Sequence, residues 1–201
     1  MVVDGIYYGL AFGAAAGAAW WLAGPLYAIP LLLVAVFCLY FFRDPDREIP
    51  AGPVAVSPAD GKVVAVRPES PSLTRVSVFL NIFDVHVNRS PVAGTIKEVF
   101  YKKGRFLVAS RERASAENEQ NLVVIDSDGT EVAFRQIAGL IARRIVFRKQ
   151  RGDRVETGER VGLIKFGSRV DVLLGPEWDI QVRAGMRVRA GSSVLARRRP
   201  G

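Results

Sequence analysis

The sequence predicts a mostly β fold, a flattened pseudo-symmetric barrel or hammerhead-like sandwich, with an N-terminal membrane helical hairpin. Three observations carry this prediction. No residue between Ile6 and Phe42 is charged, as in membrane helices. Beyond Pro53, short runs of β-branched and aromatic residues alternate with Gly, Pro, Asn and Asp, which is typical of strands joined by turns. Two short motifs also recur at a common offset, which indicates an internal repeat.

The uncharged N-terminal run is too long for one transmembrane helix. Its 37 residues would extend roughly 55 Å as a single helix, against about 30 Å of hydrocarbon. Gly24-Pro25 lies within the run, where a helix is expected to break. We therefore predict that residues 1–42 form an anchoring hairpin of two helices, either spanning the membrane or re-entrant. A signal peptide is the alternative, but it would have a basic start and a shorter apolar core.

Charge and cysteine content bear on location. Arg43 and Arg47 follow the second helix, so the positive-inside rule places the rest of the chain on the cytoplasmic face of the cell (inner) membrane. Cys38 is the only cysteine and cannot form a disulfide within one chain, which agrees with a reducing compartment. A net charge of +8 beside an anchor favours anionic lipid headgroups. No motif supports binding to nucleic acid.

After the hairpin, residues 43–53 are predicted as a proline-punctuated linker and residues 54–201 as a β-rich domain. Arg105–Asn121 is predicted as a loop, and Ile137–Ala142 as a short helical or irregular turn. The candidate strands are the short apolar runs of this domain: Val54–Val56, Lys62–Val66, Arg75–Ile82, Gly94–Tyr101, Asn121–Ile125, Glu131–Gln136, Arg144–Phe147, Arg160–Lys165 and Arg169–Leu173.

Two motifs repeat within the domain at an offset of 33 residues. Pro58-Ala-Asp-Gly-Lys-Val63 recurs in form as Pro91-Val-Ala-Gly-Thr-Ile96, and Gly152-Asp-Arg-Val-Glu-Thr-Gly158 recurs as Gly185-Met-Arg-Val-Arg-Ala-Gly191. A Gly-x-x-Val-x-x-Gly element followed by a strand is typical of flattened barrels such as biotinyl and lipoyl domains. The repeat therefore favours a pseudo-symmetric barrel.

The stretch from Glu159 to Leu174 contains the residues with the most unusual potential chemistry. Two apolar runs flank Phe166-Gly167-Ser168-Arg169. In a strained turn the Ser168 hydroxyl can attack the Gly167 carbonyl to form an ester, and β-elimination then breaks the chain. The resulting dehydroalanine hydrolyses to a pyruvoyl group with loss of ammonia, which creates an electrophilic cofactor from the chain itself. Alone, a Gly-Ser pair indicates only a turn, and Gly191-Ser192 is a second example.

Two further residues are candidates for proton chemistry. His86 is the only histidine, so any reaction that needs an imidazole must use it, and the ordinary pKa of histidine suits proton transfer. Asp60, in a Pro-Ala-Asp-Gly turn, can orient or charge-stabilise such a base, or can serve only as a turn residue. The histidine, cysteine and acidic residues show no metal-ligand spacing, so no metal is predicted.

Four segments together closely resemble the short bacterial and archaeal form of phosphatidylserine decarboxylase. They are Phe41-Phe-Arg-Asp-Pro45, Ser57-Pro-Ala-Asp-Gly-Lys62, Phe83-Asp-Val-His-Val-Asn-Arg-Ser-Pro91 and Ile164-Lys-Phe-Gly-Ser-Arg-Val-Asp171. The resemblance extends from about Phe41 to Leu174. It implies a self-processing, pyruvoyl-dependent decarboxylase of phospholipid biosynthesis, with a membrane phospholipid as substrate.

The resemblance also implies how this enzyme would act. The chain would be cut between Gly167 and Ser168 into a larger and a smaller chain that remain a heterodimer, with a higher oligomer left open. An imine between the Ser168-derived pyruvoyl group and the substrate amine would convert phosphatidylserine to phosphatidylethanolamine and CO2. Archaetidylserine, an ether lipid, remains an alternative substrate.

The family's self-cleavage triad of Asp, His and Ser matches Asp60, His86 and Ser168. Longer members have two histidines three residues apart before a proline. Counted back from Pro91, His86 matches the first and Arg89 occupies the place of the second, which is usually given the cleavage role. Either His86 serves both steps or cleavage is assisted differently. The polar segment Glu117–Asn121 also resembles a family segment, and it either lines the site or forms an exposed loop.

Two functions of other classes compete with this hypothesis. A membrane-anchored carrier of the biotinyl or lipoyl type would bear its prosthetic group on Lys165. The neighbours of that lysine, Ile164 and Phe166, are not the Met or Asp usual in such carriers. A lipid-binding anchor without enzymatic activity would leave the Phe-Gly-Ser and His86 motifs without a purpose.

Overall fold

The computed structural model describes residues 2–105, 117–139, 144–165 and 168–199. The chain divides into two compact units, Met1–Asp46 and Arg47–Gly201. The first contains two helices, α1 (Val3–Ala23) and α2 (Pro25–Phe41). Residues 43–53, predicted as a linker, contain no helix or strand.

The two helices form an antiparallel hairpin. The backbone N–H of Val2 donates to the carbonyl of Phe42 at 3.0 Å, so the start of α1 lies beside the end of α2. Gly5 and Gly9 face α2, where an added Cβ would collide with the side chains of Phe42 and Leu39. Small residues at these positions allow the close helix approach that is common in membranes. Helix α1 is long and apolar enough to cross a bilayer, which is compatible with membrane association; α2 is apolar but has 17 residues.

The second unit is built from strands, and the prediction of a mostly β fold is confirmed. We number the strands β1–β14 in chain order. They are β1 (Val54–Val56), β2 (Gly61–Ser70), β3 (Leu73–Leu80), β4 (Val87–Arg89), β5 (Gly94–Lys102), β6 (Gln120–Ser127), β7 (Thr130–Ala138), β8 (Ile145–Phe147), β9 (Arg154–Val155), β10 (Arg160–Ile164), β11 (Ser168–Leu174), β12 (Trp178–Ile180), β13 (Arg187–Val188) and β14 (Val194–Arg198).

One large sheet organises this unit. Its eight strands have the order β13-β2-β3-β11-β7-β6-β5-β9, and two three-stranded sheets, β1-β14-β12 and β4-β10-β8, accompany it. Strand β11 lies in the interior of the large sheet and pairs antiparallel with β3 and β7. Its residues Val170, Val172 and Leu174 belong to the hydrophobic core and are fully buried. The alternation of side chains along a strand places Ser168 on this same face.

The internal repeat is visible in the structure as two equivalent edges of the large sheet. Strand β13 pairs with β2 through Val188 and Gly61, and β9 pairs with β5 through Val155 and Gly94. Both glycines have positive φ, 148° and 155°. An added Cβ would collide with the carbonyl of Phe79 at Gly61 and with that of Asp126 at Gly94. The repeated glycines are therefore required where a neighbouring strand passes close to the backbone.

The structure corrects some predicted boundaries. Ile137 and Ala138, predicted within a helical or irregular turn, complete strand β7, while residues 140–142 lie outside the described residues. Gln120, placed in a loop by the sequence, begins β6, and Asn121, where the predicted loop and the predicted strand met, belongs to that strand; residues 106–116 are not described. Five strands have no counterpart in the prediction: β4, β9, β12, β13 and β14. They have two to five residues each, too few for a periodic pattern to be recognised.

Candidate active site

Ser168 is the first residue of β11 and is completely buried. Its Cα is paired with Leu80 of β3 and Ala138 of β7. Its hydroxyl oxygen has no hydrogen-bond partner among the described residues. Buried polar atoms are nearly always paired, so this hydroxyl requires an explanation, of which a catalytic role is one; the hydroxyl of buried Ser77 also lacks a partner among the described residues. Phe166 and Gly167, and with them the bond predicted to be cut, lie outside the described residues.

His86 is also buried, with 2% of its surface exposed. Its Nδ1 lies 2.9 Å from the carbonyl oxygen of Asp84. A carbonyl oxygen can only accept, so in the neutral ring Nδ1 carries the proton and Nε2 has the lone pair. The backbone of Asp84 therefore sets the tautomer that a general base requires. The sequence did not indicate this contact, because any residue supplies a carbonyl.

The chain path brings Ser168 and His86 to the same end of the large sheet. The segment 81–85 leads from Leu80, the partner of Ser168, to His86. The backbone N–H of Ile164 donates to the carbonyl of His86 at 3.3 Å. Residues 165–167 then connect Ile164 to Ser168. His86, the proposed base, is thus six residues after Leu80, which pairs with Ser168. Ser168, the proposed nucleophile, is four residues after Ile164, which is hydrogen-bonded to His86.

Asp60 is held by two other groups. Arg47 donates to both of its carboxylate oxygens, at 3.0 Å and 2.8 Å, and the backbone N–H of Ala190 donates to Oδ1 at 2.8 Å. The side chains of Arg47 and Asp60 are 10% and 13% exposed. Asp60 immediately precedes Gly61, whose backbone packs against the carbonyl of Phe79 in β3. Phe79 is the residue before Leu80, the partner of Ser168. The Asp60 contacts therefore secure the part of the sheet that adjoins Ser168.

Arg89, which occupies the position of the family's second histidine, binds Gly158 at the end of the repeated motif Gly152–Gly158. It is 6% exposed, and its Nη1 donates to the carbonyl of Gly158 at 3.0 Å. An arginine that binds a carbonyl in this way keeps its proton and is not a general base. Arg89 therefore does not replace the second histidine as a base, and His86, the only histidine in the sequence, is the remaining candidate.

Buried amides surround the Ser168 end of the sheet. Asn118, from the segment predicted either to line the site or to be exposed, is fully buried. Its Nδ2 donates at 2.7 Å to the carbonyl of Ala138, the residue paired with Ser168. Asn88 and Gln136 are likewise fully buried and hydrogen-bonded to each other. Sequence reasoning missed both residues. For Gln136 an amide at an inward position of the alternating strand β7 is an available signal, whereas β4, which contains Asn88, is too short to show a pattern.

The residue after Ser168 faces the other side of the sheet. Arg169 is 1% exposed, and its Nη2 donates to Oδ2 of the fully buried Asp171 at 3.0 Å, while its Nε lies 2.9 Å from Oδ1. Such a two-point pair holds both charges tightly. The positive charge next to the predicted cleavage site is therefore neutralised on the face opposite Ser168.

Comparison with known proteins decides the family. The family model for phosphatidylserine decarboxylase matches residues 34–196. The chain belongs to the phosphatidylserine decarboxylase family. It is 72% identical over 198 residues to the phosphatidylserine decarboxylase proenzyme of Solibacter usitatus (strain Ellin6076), covering 98% of this chain and 97% of that relative.

Two further relatives carry the same name. The phosphatidylserine decarboxylase proenzyme of Oleidesulfovibrio alaskensis is 47% identical over 176 residues, which cover 84% of this chain and 81% of the relative. That of Nitratidesulfovibrio vulgaris is 46% identical over 180 residues, covering 86% and 83%. As a member of the decarboxylase family the chain is an enzyme, and the predicted resemblance is confirmed. The family assignment favours decarboxylation over a carrier function at Lys165.

Proposed function

We propose that the chain is a self-processing, pyruvoyl-dependent decarboxylase that converts phosphatidylserine to phosphatidylethanolamine and CO2. The observation that carries this proposal is the buried Ser168, at the end of a core strand in the family's cleavage motif, whose hydroxyl has no partner among the described residues. His86, in the tautomer of a base, belongs to the same end of the sheet.

In the processing step, Nε2 of His86 accepts the proton of the Ser168 hydroxyl while Oγ attacks the carbonyl carbon of Gly167. The peptide bond to the nitrogen of residue 168 breaks and an ester forms. Elimination then releases the Gly167 carboxylate and leaves a dehydroalanine at residue 168. One water molecule converts that group to a pyruvoyl group and ammonia is released, so the atoms balance.

The surroundings of Ser168 fit a pyruvoyl group that must remain in place after cleavage. The smaller chain, residues 168–201, would contain β11, which pairs on both sides with strands of the larger chain. The core face of β11 is fully buried, so burial of apolar surface keeps the two chains together as a heterodimer. Such a group at residue 168 would supply an electrophilic carbonyl for the substrate amine, as an imine, and an electron sink for the loss of CO2.

The side chains proposed to act in the second reaction are those around Ser168. His86 gives a proton back to the carbon that has lost CO2, so one imidazole serves both steps. Asp60 acts as a positioning residue: its contacts with Arg47 and Ala190 hold the start of β2 beside β3, the strand whose Leu80 pairs with Ser168. Burial of this end of the sheet excludes water, which strengthens the electrostatic interactions there.

We propose the cell (inner) membrane as the location, with the catalytic domain on the cytoplasmic face. Exposed aromatic residues support a hairpin in a bilayer, because Tyr and Trp are enriched at both membrane interfaces. Tyr7, Tyr8 and Tyr40 lie at one end of the hairpin, and Trp20, Trp21 and Tyr27 at the other. Arg43, which stacks over the Tyr40 ring at 3.8 Å, follows at the end predicted to face the cytoplasm. The phospholipid substrate and the membrane are then the proposed partners.

The test is a pair of serine substitutions in the two Gly-Ser pairs of the chain. Ser168→Ala removes the nucleophile and is expected to abolish both cleavage and CO2 release from phosphatidylserine vesicles. Ser192→Ala, in the partly exposed Gly191-Ser192 pair, is the matched control and is expected to leave both unchanged. Cleaved Ser168→Ala protein would contradict the proposal.

A further inference from the structure

Three buried amide side chains form a hydrogen-bonded chain that crosses the core. Nδ2 of Asn121 donates to Oε1 of Gln136 at 3.0 Å, and Nε2 of Gln136 donates to Oδ1 of Asn88 at 2.8 Å. Asn121 is 2% exposed and the other two are fully buried. Each hydrogen bond fixes the orientation of the next amide. The last one, Asn88, therefore presents its NH2 group.

The chain ends in a donor that has no acceptor. Nδ2 of Asn88 is buried and makes no hydrogen bond with any described residue. A buried donor without a partner carries a desolvation penalty that an incoming acceptor removes. Of the three amides, Asn88 alone has a buried side-chain atom without a partner among the described residues, so an acceptor bound at this atom would complete the network.

Strand register places this donor near the reacting groups. Gln136 is paired with Val170, and Ala138 with Ser168, so Gln136 and Ser168 are diagonal neighbours on the core face of the large sheet. Asn88 reaches Gln136 from β4, two residues after His86. The unpaired Nδ2 of Asn88 and the unpaired Oγ of Ser168 thus belong to the same buried region.

The arginines beside this region are engaged elsewhere. Arg169 is paired with Asp171 on the opposite face of the sheet, and Arg89 donates to the Gly158 carbonyl. A guanidinium that bound the substrate carboxylate would stabilise the ground state, in which the negative charge is localised on the carboxylate, more than the transition state, in which that charge moves away. A neutral donor also holds the carboxylate in place, but it forfeits less interaction energy when the negative charge leaves the carboxylate with the departing CO2.

We infer that Asn88 binds the carboxylate of the amino-acid headgroup through Nδ2 and positions it for loss of CO2 without neutralising its charge. This inference rests on the proposed function, since it assigns the carboxylate of a serine headgroup to that site. Asn88 is then a specificity residue for a headgroup that carries a carboxylate, and Gln136 and Asn121 are positioning residues that orient it.

The test uses short-chain phospholipids that cannot react with the processed enzyme. One has a glyceric acid headgroup, which has the carboxylate but a hydroxyl in place of the amine. The other has an ethylene glycol headgroup, which lacks the carboxylate. Asn88→Asp retains an oxygen for the Gln136 hydrogen bond but replaces the donor by a group that repels a carboxylate. Gln120→Glu is the matched control, because it makes the same amide-to-carboxylate change at a buried residue on the opposite face of β6, outside the amide chain.

Equilibrium dissociation constants are measured on the processed proteins. The wild-type enzyme is expected to bind the glyceric acid lipid more tightly than the ethylene glycol lipid, and Asn88→Asp to reduce this preference about tenfold or more, as expected for losing a hydrogen bond to a charged group. The affinity for the ethylene glycol lipid should not change. Gln120→Glu should keep the preference.

Two results would overturn the inference. One is an unchanged preference in Asn88→Asp; the other is an equal loss in Gln120→Glu, which would show that the added charge or a change in the fold lowers the affinity, and not the loss of the Asn88 donor. If Asn88→Asp is not processed, Asn88→Ser, which removes the amide donor without introducing a charge, is measured in the same way and judged by the same outcomes. A wild-type protein that is neither cut nor active would instead contradict the proposed function.

Discussion

Replacing Asp60 by asparagine tests whether this carboxylate stabilises the fold around the site or takes part in the chemistry itself. Asp60→Asn retains an oxygen for the Ala190 N–H but replaces the other oxygen by an NH2 group and removes the negative charge that pairs with Arg47. Arg47, at 10% side-chain exposure, is then left as a nearly buried cation. Breaking a buried ion pair costs about 3–5 kcal/mol, and with a tenth of each side chain still exposed we expect about 2–4 kcal/mol.

That cost is measurable as a change in thermal stability. For a domain of this size, 1 kcal/mol corresponds to about 2–4 °C in Tm, so we expect Asp60→Asn to lower Tm by about 4–16 °C in detergent micelles. Cleavage at Ser168 should become slower but still occur. Arg47→Met should have a similar effect, and the double variant should be more stable than the sum of the two changes predicts. An unchanged Tm with complete loss of cleavage in Asp60→Asn would refute this reasoning and place Asp60 in the proton transfer.

Three other predictions concern the fold that holds the site. Asp171→Leu should destabilise the protein by about 3–5 kcal/mol, because it removes the carboxylate that pairs with the buried Arg169. Adding Arg169→Met to this variant should restore much of the unfolding free energy, measured by urea titration. Gly61→Ala should cost about 2 kcal/mol or more, seen as a lower Tm, since its Cβ would meet a β3 carbonyl. Burial raises the pKa of Glu159, but hydrogen bonds from Lys149 and a backbone N–H outweigh it and lower that pKa overall; its stabilisation is thus present above the unfolded pKa and lost as pH falls through the folded one. Lys149→Met should therefore reduce the difference in Tm between neutral and acidic pH. The corresponding change in unfolding free energy should be less than about 1 kcal/mol, because the pair is partly exposed. An unchanged difference in Tm would show that Lys149 does not lower the pKa of Glu159.

The fold could be predicted where the sequence contains long or repeated signals. The uncharged run and Gly24-Pro25 indicated the two helices, and most strands of five or more residues were located from their apolar alternation. The offset motifs predicted an internal repeat, which the structure shows as the equivalent pairs Gly61–Val188 and Gly94–Val155 at the two edges of the large sheet. These signals are local, so they can be recognised without knowing the tertiary structure.

The site could be predicted only in part because its contacts are distant in sequence. The motifs identified Ser168, His86 and Asp60 as candidates, and their roles remain proposals. Arg47 binds Asp60 across 13 positions and Gln136 binds Asn88 across 48, and no local pattern relates such pairs. The backbone carbonyl of Asp84 carries no signal of its own. Short strands such as β9 and β13 exist because neighbouring strands pair with them, which is tertiary information.

The central claim is that the chain converts its own Ser168 into a cofactor, and the intact mass of the purified protein tests it most directly. The account predicts two chains separated between Gly167 and Ser168. The smaller chain should be lighter by one ammonia than a peptide that begins with serine. A purified, folded protein that releases CO2 from phosphatidylserine yet has the mass of one uncut chain would contradict the account.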